Sequence, residues 1–132
     1  MKEEICSLVE YRFKRAKSAY RDGVSLLQKR SFESAINRFY YSAFYSAKAL
    51  LAIKGLDSSK HSGVITLFHQ HFVKEGLVDK EIARAFSRSF ERRLDSDYED
   101  FFAIGHDETI QVQEEVKQFM TACESYFKSL IP

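Results

Sequence analysis

The sequence predicts an all-α fold, an antiparallel four-helix up-and-down bundle with one short additional helix. Apolar residues recur at the three-and-four spacing of an α-helix along most of the chain. The 132 residues include only five glycines and one proline, which is the last residue, so little interrupts a helix. A chain of this length is typical of one domain, and we expect residues 1–132 to form a single helical domain.

The N-terminal half carries the clearest helical pattern. An apolar stripe predicts a first helix over residues 3–29, which Gly23 weakens without ending. Ser31 is the expected N-cap of a second helix, whose stripe continues to about Gly55. This second stripe is the strongest in the sequence and consists of Phe32, Ala35, Ile36, Phe39, Tyr40, Ala43, Phe44, Ala47 and Leu51.

The C-terminal half predicts one short and two long helices. Residues 64–73 support only a short helix. Asp79 is the expected cap of a long helix over residues 80–102. The last helix begins at Asp107 or Thr109 and continues to the end of the chain. The connections between the long helices are short, which favours antiparallel neighbours.

Charge, hydropathy and cysteine content indicate where the protein is located and which binding partners its overall composition does not favour. The formal net charge is +1, so no overall field drives binding to nucleic acid or to anionic membranes. No apolar run approaches the roughly 18 residues of a membrane span, and the N-terminus does not resemble a signal peptide. We therefore expect a cytoplasmic protein without membrane association. Cys6 and Cys123 are widely separated and fit reduced thiols, so we expect neither a disulfide nor a metal or cofactor site.

Two charged residues interrupt the apolar stripe of the helix over residues 80–102. At about 100° per residue, Arg93 and Asp97 fall near Phe86, in the middle of the stripe and one turn apart. Taking charges out of water is costly, so their position needs an explanation. Two explanations stay open: a salt bridge that fixes helix register, and an anion site in which Arg93 binds a phosphate while Asp97 or Tyr98 handles a proton.

Two other groups of residues are weaker candidates. Arg84, Arg88 and Arg92 recur every four residues on the opposite side of the same helix, but acidic residues share that side, which is typical of a solvated face. On the second helix, Arg38 and Tyr41 lie off the main stripe, where a tyrosine can stack on a base or simply pack at the rim of the core.

The sequence lacks the common catalytic motifs. It has no glycine-rich phosphate loop, which argues against an ATPase or a dinucleotide-binding protein. His69 and His71 are two residues apart, so on a helix they point to opposite sides and cannot share a metal ion. His61 and His106 fall in predicted loops, and no nucleophile-and-base pattern accompanies either of them.

Three stretches of the sequence carry a family pattern: SAINRFYYSAFYSAKALLAIKGL, KHSGVITLFHQHFVKEGLVDKE and RSFERRLDSDYEDFF. Their specific features are the paired Tyr40 and Tyr41, the KH-G-V segment, and the Arg-x-x-x-Asp-Tyr run from Arg93 to Tyr98. Over most of its length the chain resembles the HEPN-domain family, in particular the short stand-alone HEPN proteins of prokaryotes. The fold of that family, an antiparallel four-helix bundle with a short extra helix, agrees with the helical pattern.

The resemblance implies either a metal-independent endoribonuclease or a nucleotide-binding module. It implies Arg93 as a phosphate-contacting residue and Asp97 as its orienting partner. In active members of the family an arginine is followed, after four to six residues, by a histidine, and here Tyr98 occupies that place. A free tyrosine titrates near pH 10, roughly three units too high for a group that takes a ribose proton at neutral pH.

Three hypotheses about function stay open, and the first is favoured. The chain is a binding module in which Arg93, Asp97 and Tyr98 line a cleft, shared across a dimer, that holds a nucleotide or an RNA phosphate. Arg38 and Tyr41 are further phosphate-binding candidates beside Arg93, and the module belongs to a toxin-antitoxin-type pair with a small nucleotidyltransferase. Alternatively, it is an active ribonuclease toxin whose catalytic candidates are Arg93, Asp97 and Tyr98. In the third hypothesis the protein is a purely structural partner, and Arg93 and Asp97 only hold the bundle together.

A homodimer is also expected. The resemblance implies it, and so does a surplus of aromatic residues that a small bundle is expected to leave partly exposed, among them Tyr41, Phe68, Phe72 and Phe102.

Overall fold

The computed structural model describes residues 1–98 and 103–132, apart from the side chain of Tyr98. It contains α1 (Glu3–Gln28), α2 (Phe32–Ile53), α3 (His61–Phe68), α4 (Lys80–Tyr98) and α5 (His106–Ser129), with a π-helical turn at His69–Val73 directly after α3. The four long helices form the antiparallel bundle, and the described residues include no strand. The predicted all-α class with one short additional helix is therefore confirmed. The last part of the predicted fourth helix, residues 99–102, lies outside the described residues.

The helix ends follow local signals in the sequence. The carboxylate of Asp79 accepts a hydrogen bond from the amide of Ile82 at 3.1 Å, which is the predicted cap of α4. Gly55 and Gly76 end the preceding helical segments with φ values of 69° and 75°, a left-handed backbone that favours glycine. Ser31 takes the predicted N-cap position of α2, but its hydroxyl makes no capping hydrogen bond.

A close approach between α1 and α2 explains the glycine inside α1. A Cβ atom at Gly23 would come within 2.6 Å of the Phe39 ring. Phe39 is fully buried, and its ring centroid lies 5.6 Å from that of Tyr20. As predicted, Gly23 does not end the first helix; it lets the two helices pack together.

The most buried helix is α2, which contacts α1, α4 and α5. Because neighbours cover it on several sides, residues along nearly its whole length are removed from water. The short helix and the π-helical turn add Phe68 and Phe72, which are both fully buried and stack with ring centroids 5.4 Å apart. The expectation that these two rings are partly exposed is wrong, because α3 folds back onto α2 and places them in the core.

Cys6 and Cys123 are both free in the described structure. Cys123 is completely buried in α5, and burial raises the pKa of its thiol. None of the helices in the described part of the chain is long and apolar enough to cross a membrane.

Candidate functional site

Arg93 extends from α4 onto two tyrosine rings of α2. Its guanidinium carbon lies 5.4 Å from the ring centroid of Tyr40 and 5.5 Å from that of Tyr41. A cation over the face of an aromatic ring is attracted by the electrons of that ring. The side chain of Arg93 is 20% exposed, so its predicted place on the buried stripe is confirmed while part of it still reaches solvent.

Asp97 lies one turn after Arg93, at 3.5 Å from its Nε. The contact is an ion pair without hydrogen-bond geometry, because Nε of Arg93 has no hydrogen-bond partner among the described residues. The side chain of Asp97 is 40% exposed. The pair is therefore half-buried at Arg93 and more exposed at Asp97, where α4 faces the polar first turns of α2.

A groove beside Asp97 contains Arg38. The cavity measures about 310 Å³ and is lined by Leu26, Glu33, Ser34, Asn37, Arg38, Ser96 and Asp97. The guanidinium carbon of Arg38 lies 5.6 Å from the ring centroid of Tyr41, and its Nε lies 4.0 Å from the carboxylate of Asp22. Arg38 and Arg93 thus approach the same tyrosine. The structure places the three residues predicted to contact phosphate at one location.

Tyr98 is the last residue of α4. Its side chain, the third predicted catalytic candidate, lies outside the described part of the structure.

A histidine that sequence reasoning set aside lies beside this arginine site. His61 is the first residue of α3, and its Nδ1 lies 2.6 Å from the hydroxyl of Tyr40. Its imidazole stacks on the Phe44 ring at a centroid distance of 4.5 Å and on the Tyr40 ring at 5.6 Å. The sequence feature that could have pointed to His61 is the KH-G-V segment, which contains this residue. Nothing in the local sequence indicated that α2 would be its neighbour.

Burial keeps both members of this pair neutral, and nearby cations act in the same direction on the imidazole only. Burial raises the pKa of Tyr40, and the positive charge of Arg93 opposes that rise only in part. Burial lowers the pKa of His61, and the charges of Arg93 and Lys48 lower it further. At neutral pH the phenol therefore keeps its proton and the imidazole is uncharged.

The outer arginines of α4 have different surroundings. Each is paired with a glutamate: Arg84 with Glu81 at 3.3 Å, Arg88 with Glu115 at 3.2 Å and Arg92 with Glu108 at 3.4 Å. About half of each of the three arginine side chains is exposed. The predicted mixed-charge, solvated face is confirmed.

The remaining histidines do not form a metal cluster in the described structure. His69 lies in the π-helical turn, where its Nε2 is 3.1 Å from the hydroxyl of Ser87. No three histidine, cysteine, aspartate or glutamate side chains within residues 1–98 and 103–132 lie close enough together to hold a metal ion.

Comparison with known proteins identifies the family. The family model for the HEPN domain matches residues 9–126. The chain belongs to the HEPN domain family. This HEPN domain is 38% identical to a UPF0332 protein of Thermotoga maritima, over 93% of this chain and 88% of that protein.

Two archaeal relatives carry names that refer to toxins. The Methanocaldococcus jannaschii protein named "Putative toxin MJ0605" is 36% identical over 74% of this HEPN chain and 70% of its own length. A second protein of that organism, named "Putative toxin MJ0142", is 29% identical over 90% of this chain and 73% of its own length. The resemblance seen in the three sequence stretches is therefore confirmed.

Proposed function

We propose that this HEPN-domain protein binds a phosphate of RNA or of a nucleotide at Arg93 and acts as the toxin-like component of a pair with a small nucleotidyltransferase. The observation that carries the proposal is the setting of Arg93: its guanidinium rests on two tyrosine rings, while 20% of its side chain still reaches solvent. Arginine recognises phosphate through a planar fork of donors. The names of the two M. jannaschii relatives support the toxin-like role.

Aromatic rings beside Arg93 support a nucleic-acid ligand rather than an isolated phosphate ion. Tyr41 and Tyr45 are half-buried, one turn apart on α2, with ring centroids 5.9 Å apart. Arg15 lies 4.3 Å from the Tyr45 ring and donates a hydrogen bond to its hydroxyl at 2.7 Å. Cations alternating with aromatic rings suit single-stranded nucleic acid, because the cations follow the backbone and the rings stack with bases.

Binding without cleavage is the favoured activity. Cleavage of RNA without a metal needs a group that takes the proton of a ribose 2′-hydroxyl. Near Arg93, the nitrogen that could accept a proton is Nδ1 of His61, which lies 2.6 Å from the hydroxyl of Tyr40. Because burial raises the pKa of Tyr40, the phenol keeps its proton and occupies that nitrogen. The exposed position of Asp97 also argues against a purely structural role for its pair with Arg93.

The test compares two arginines of α4. Wild type, Arg93→Ala and Arg84→Ala are mixed with a fluorescent single-stranded oligoribonucleotide in chelator at neutral pH. Anisotropy reports binding, and a gel reports cleavage. We expect Arg93→Ala to weaken binding by about tenfold or more, since a hydrogen bond to a charged group contributes roughly 1.5 to 3 kcal/mol. Arg84→Ala removes the same charge from the outer face and should change affinity by less than about twofold.

Two results would contradict this proposal. Equal losses in both variants would indicate non-specific attraction to positive charge. Cuts in the RNA that depend on Arg93 would show that the protein is a ribonuclease, despite the tyrosine at the place of the family histidine.

The proposed assemblies need a separate measurement. A homodimer remains a prediction, and the apolar side chains that α1 leaves exposed, Leu8 and Tyr11, are candidates for its surface. Light scattering after gel filtration should give twice the chain mass at micromolar concentration, and a monomer would contradict the dimer. The same chromatography after co-expression with a neighbouring nucleotidyltransferase gene tests the pair.

A further inference from the structure

The contact between Tyr40 and His61 fixes the position of a proton. Tyr40 is the largest fully buried side chain in the described structure, and a buried hydroxyl proton needs an acceptor. Among the described residues its hydroxyl has one partner, Nδ1 of His61. If Nδ1 carried the histidine proton, the phenol proton would have no acceptor there. The phenol therefore donates to Nδ1, and the neutral imidazole carries its own proton on Nε2.

Packing also restricts how the imidazole ring of His61 can turn. The imidazole is stacked at 20° to the ring planes of both Tyr40 and Phe44. With its plane held by stacking and one ring nitrogen held by the phenol, the other nitrogen has little freedom to turn. His61 is only half-buried, and Nε2 makes no hydrogen bond to a described residue.

We propose that His61 is a second phosphate-contacting residue, which donates its Nε2 proton to the ligand of the Arg93 site, and that Tyr40 positions it. This inference rests on the proposed function and adds a donor from a different helix. Tyr40 connects the two groups. Its hydroxyl contacts His61, and its ring centroid lies 5.4 Å from the guanidinium carbon of Arg93. The ligand class is a phosphate ester, since both groups offer N–H donors to anionic oxygens.

The charges around His61 predict how binding depends on pH. The groups that face it are Tyr40, Tyr41 and the cation Lys48 of α2, together with Arg93 of α4. Its pKa is lowered in the free protein, by burial first and then by these cations. A bound phosphate offsets the cations and favours a charged imidazole, so binding takes up a proton. Affinity should therefore rise as the pH falls from about 8 to about 6.

Variants of His61 test which nitrogen donates. The amide nitrogen of glutamine can reach the place of Nε2, whereas that of asparagine lies nearer the place of Nδ1. With the same labelled oligoribonucleotide, we expect His61→Asn to weaken binding by about tenfold and His61→Gln to retain most of it. His69→Gln alters another half-buried histidine and should leave affinity unchanged. The rise in affinity at lower pH should disappear in His61→Gln.

Tyr40→Phe tests the positioning role, because it removes the hydroxyl and keeps the ring. Binding should weaken by about threefold or more. In wild-type protein, long-range proton–nitrogen NMR correlations should show His61 protonated at Nε2. Protonation at Nδ1 would overturn the inference, and that result needs no variant to fold.

The outcomes separate the two proposals. If Arg93→Ala loses binding while His61→Asn binds as tightly as wild type, this inference is wrong and the Arg93 site stands. If both variants bind normally, both proposals are wrong.

Discussion

The two sides of α4 carry the same type of residue in opposite situations. Arg88 on the outer side is half-exposed, and its Nε lies 3.2 Å from the carboxylate of Glu115. Arg93 on the inner side is only 20% exposed, rests on the rings of Tyr40 and Tyr41, and has its Nε 3.5 Å from the carboxylate of Asp97. Both guanidinium groups have a carboxylate neighbour, and the two aromatic rings distinguish the setting of Arg93. The comparison shows that one helix places arginines in two different surroundings, one solvated and one aromatic.

The largest effect should come from removing the aromatic support of the inner side. Tyr40→Ala deletes a fully buried ring and should lower the free energy of unfolding by about 3 to 5 kcal/mol. Urea denaturation measures this value. Tyr11→Ala deletes a ring that is 52% exposed, and we expect a change within about 0.5 kcal/mol. Similar losses in both variants would show that Tyr40 is not packed as described.

Arg93→Ala should have a smaller effect on stability than on binding. Its ion pair with Asp97 is partly exposed and contributes little, while the contacts with the tyrosine rings add about 1 kcal/mol. We therefore expect the free energy of unfolding to fall by about 1 to 2 kcal/mol. Breaking a buried salt bridge would instead cost about 3 to 5 kcal/mol, and that outcome would restore the purely structural hypothesis.

The histidines near the inner side should make the fold sensitive to acid. Burial lowers the pKa values of both His61 and His69 in the folded protein. The unfolded chain then binds more protons than the folded one once the pH drops below about 6.5. The free energy of unfolding keeps its full value above that pH. It decreases as the pH falls toward the lowered pKa values of the two histidines in the folded protein. Thermal unfolding between about pH 7.5 and pH 5 should show this decrease, and His69→Gln should reduce it. An unchanged Tm would contradict the pKa directions.

The smallest effect should come from the outer side. Arg88→Ala breaks an exposed ion pair with Glu115, which should change the free energy of unfolding by less than about 1 kcal/mol. High salt should remove most of this difference, because screening weakens exposed pairs. A larger, salt-independent loss would mean that the outer arginines also stabilise the bundle through packing.

Helix periodicity explains what could be predicted along α4. The repeat of about 3.6 residues is a property of the backbone, so the angular position of Arg93 and the cap at Asp79 follow from local sequence. The exposure of Asp97 could not be predicted this way. A stripe on one helix does not show where the neighbouring helix turns polar, and that neighbour decides which part of the stripe is covered.

The sequence by itself determined the all-α bundle, the family and the separation of Arg93 from the outer arginines. Each of these depends on spacing within one helix or on a short motif. Only the tertiary structure decided that Phe68 and Phe72 are buried and that His61 meets Tyr40 beside Arg93. The physical reason is that α2, α3 and α4 each contribute one of the three groups at the site. Their distances depend on how the helices pack, which no local repeat encodes.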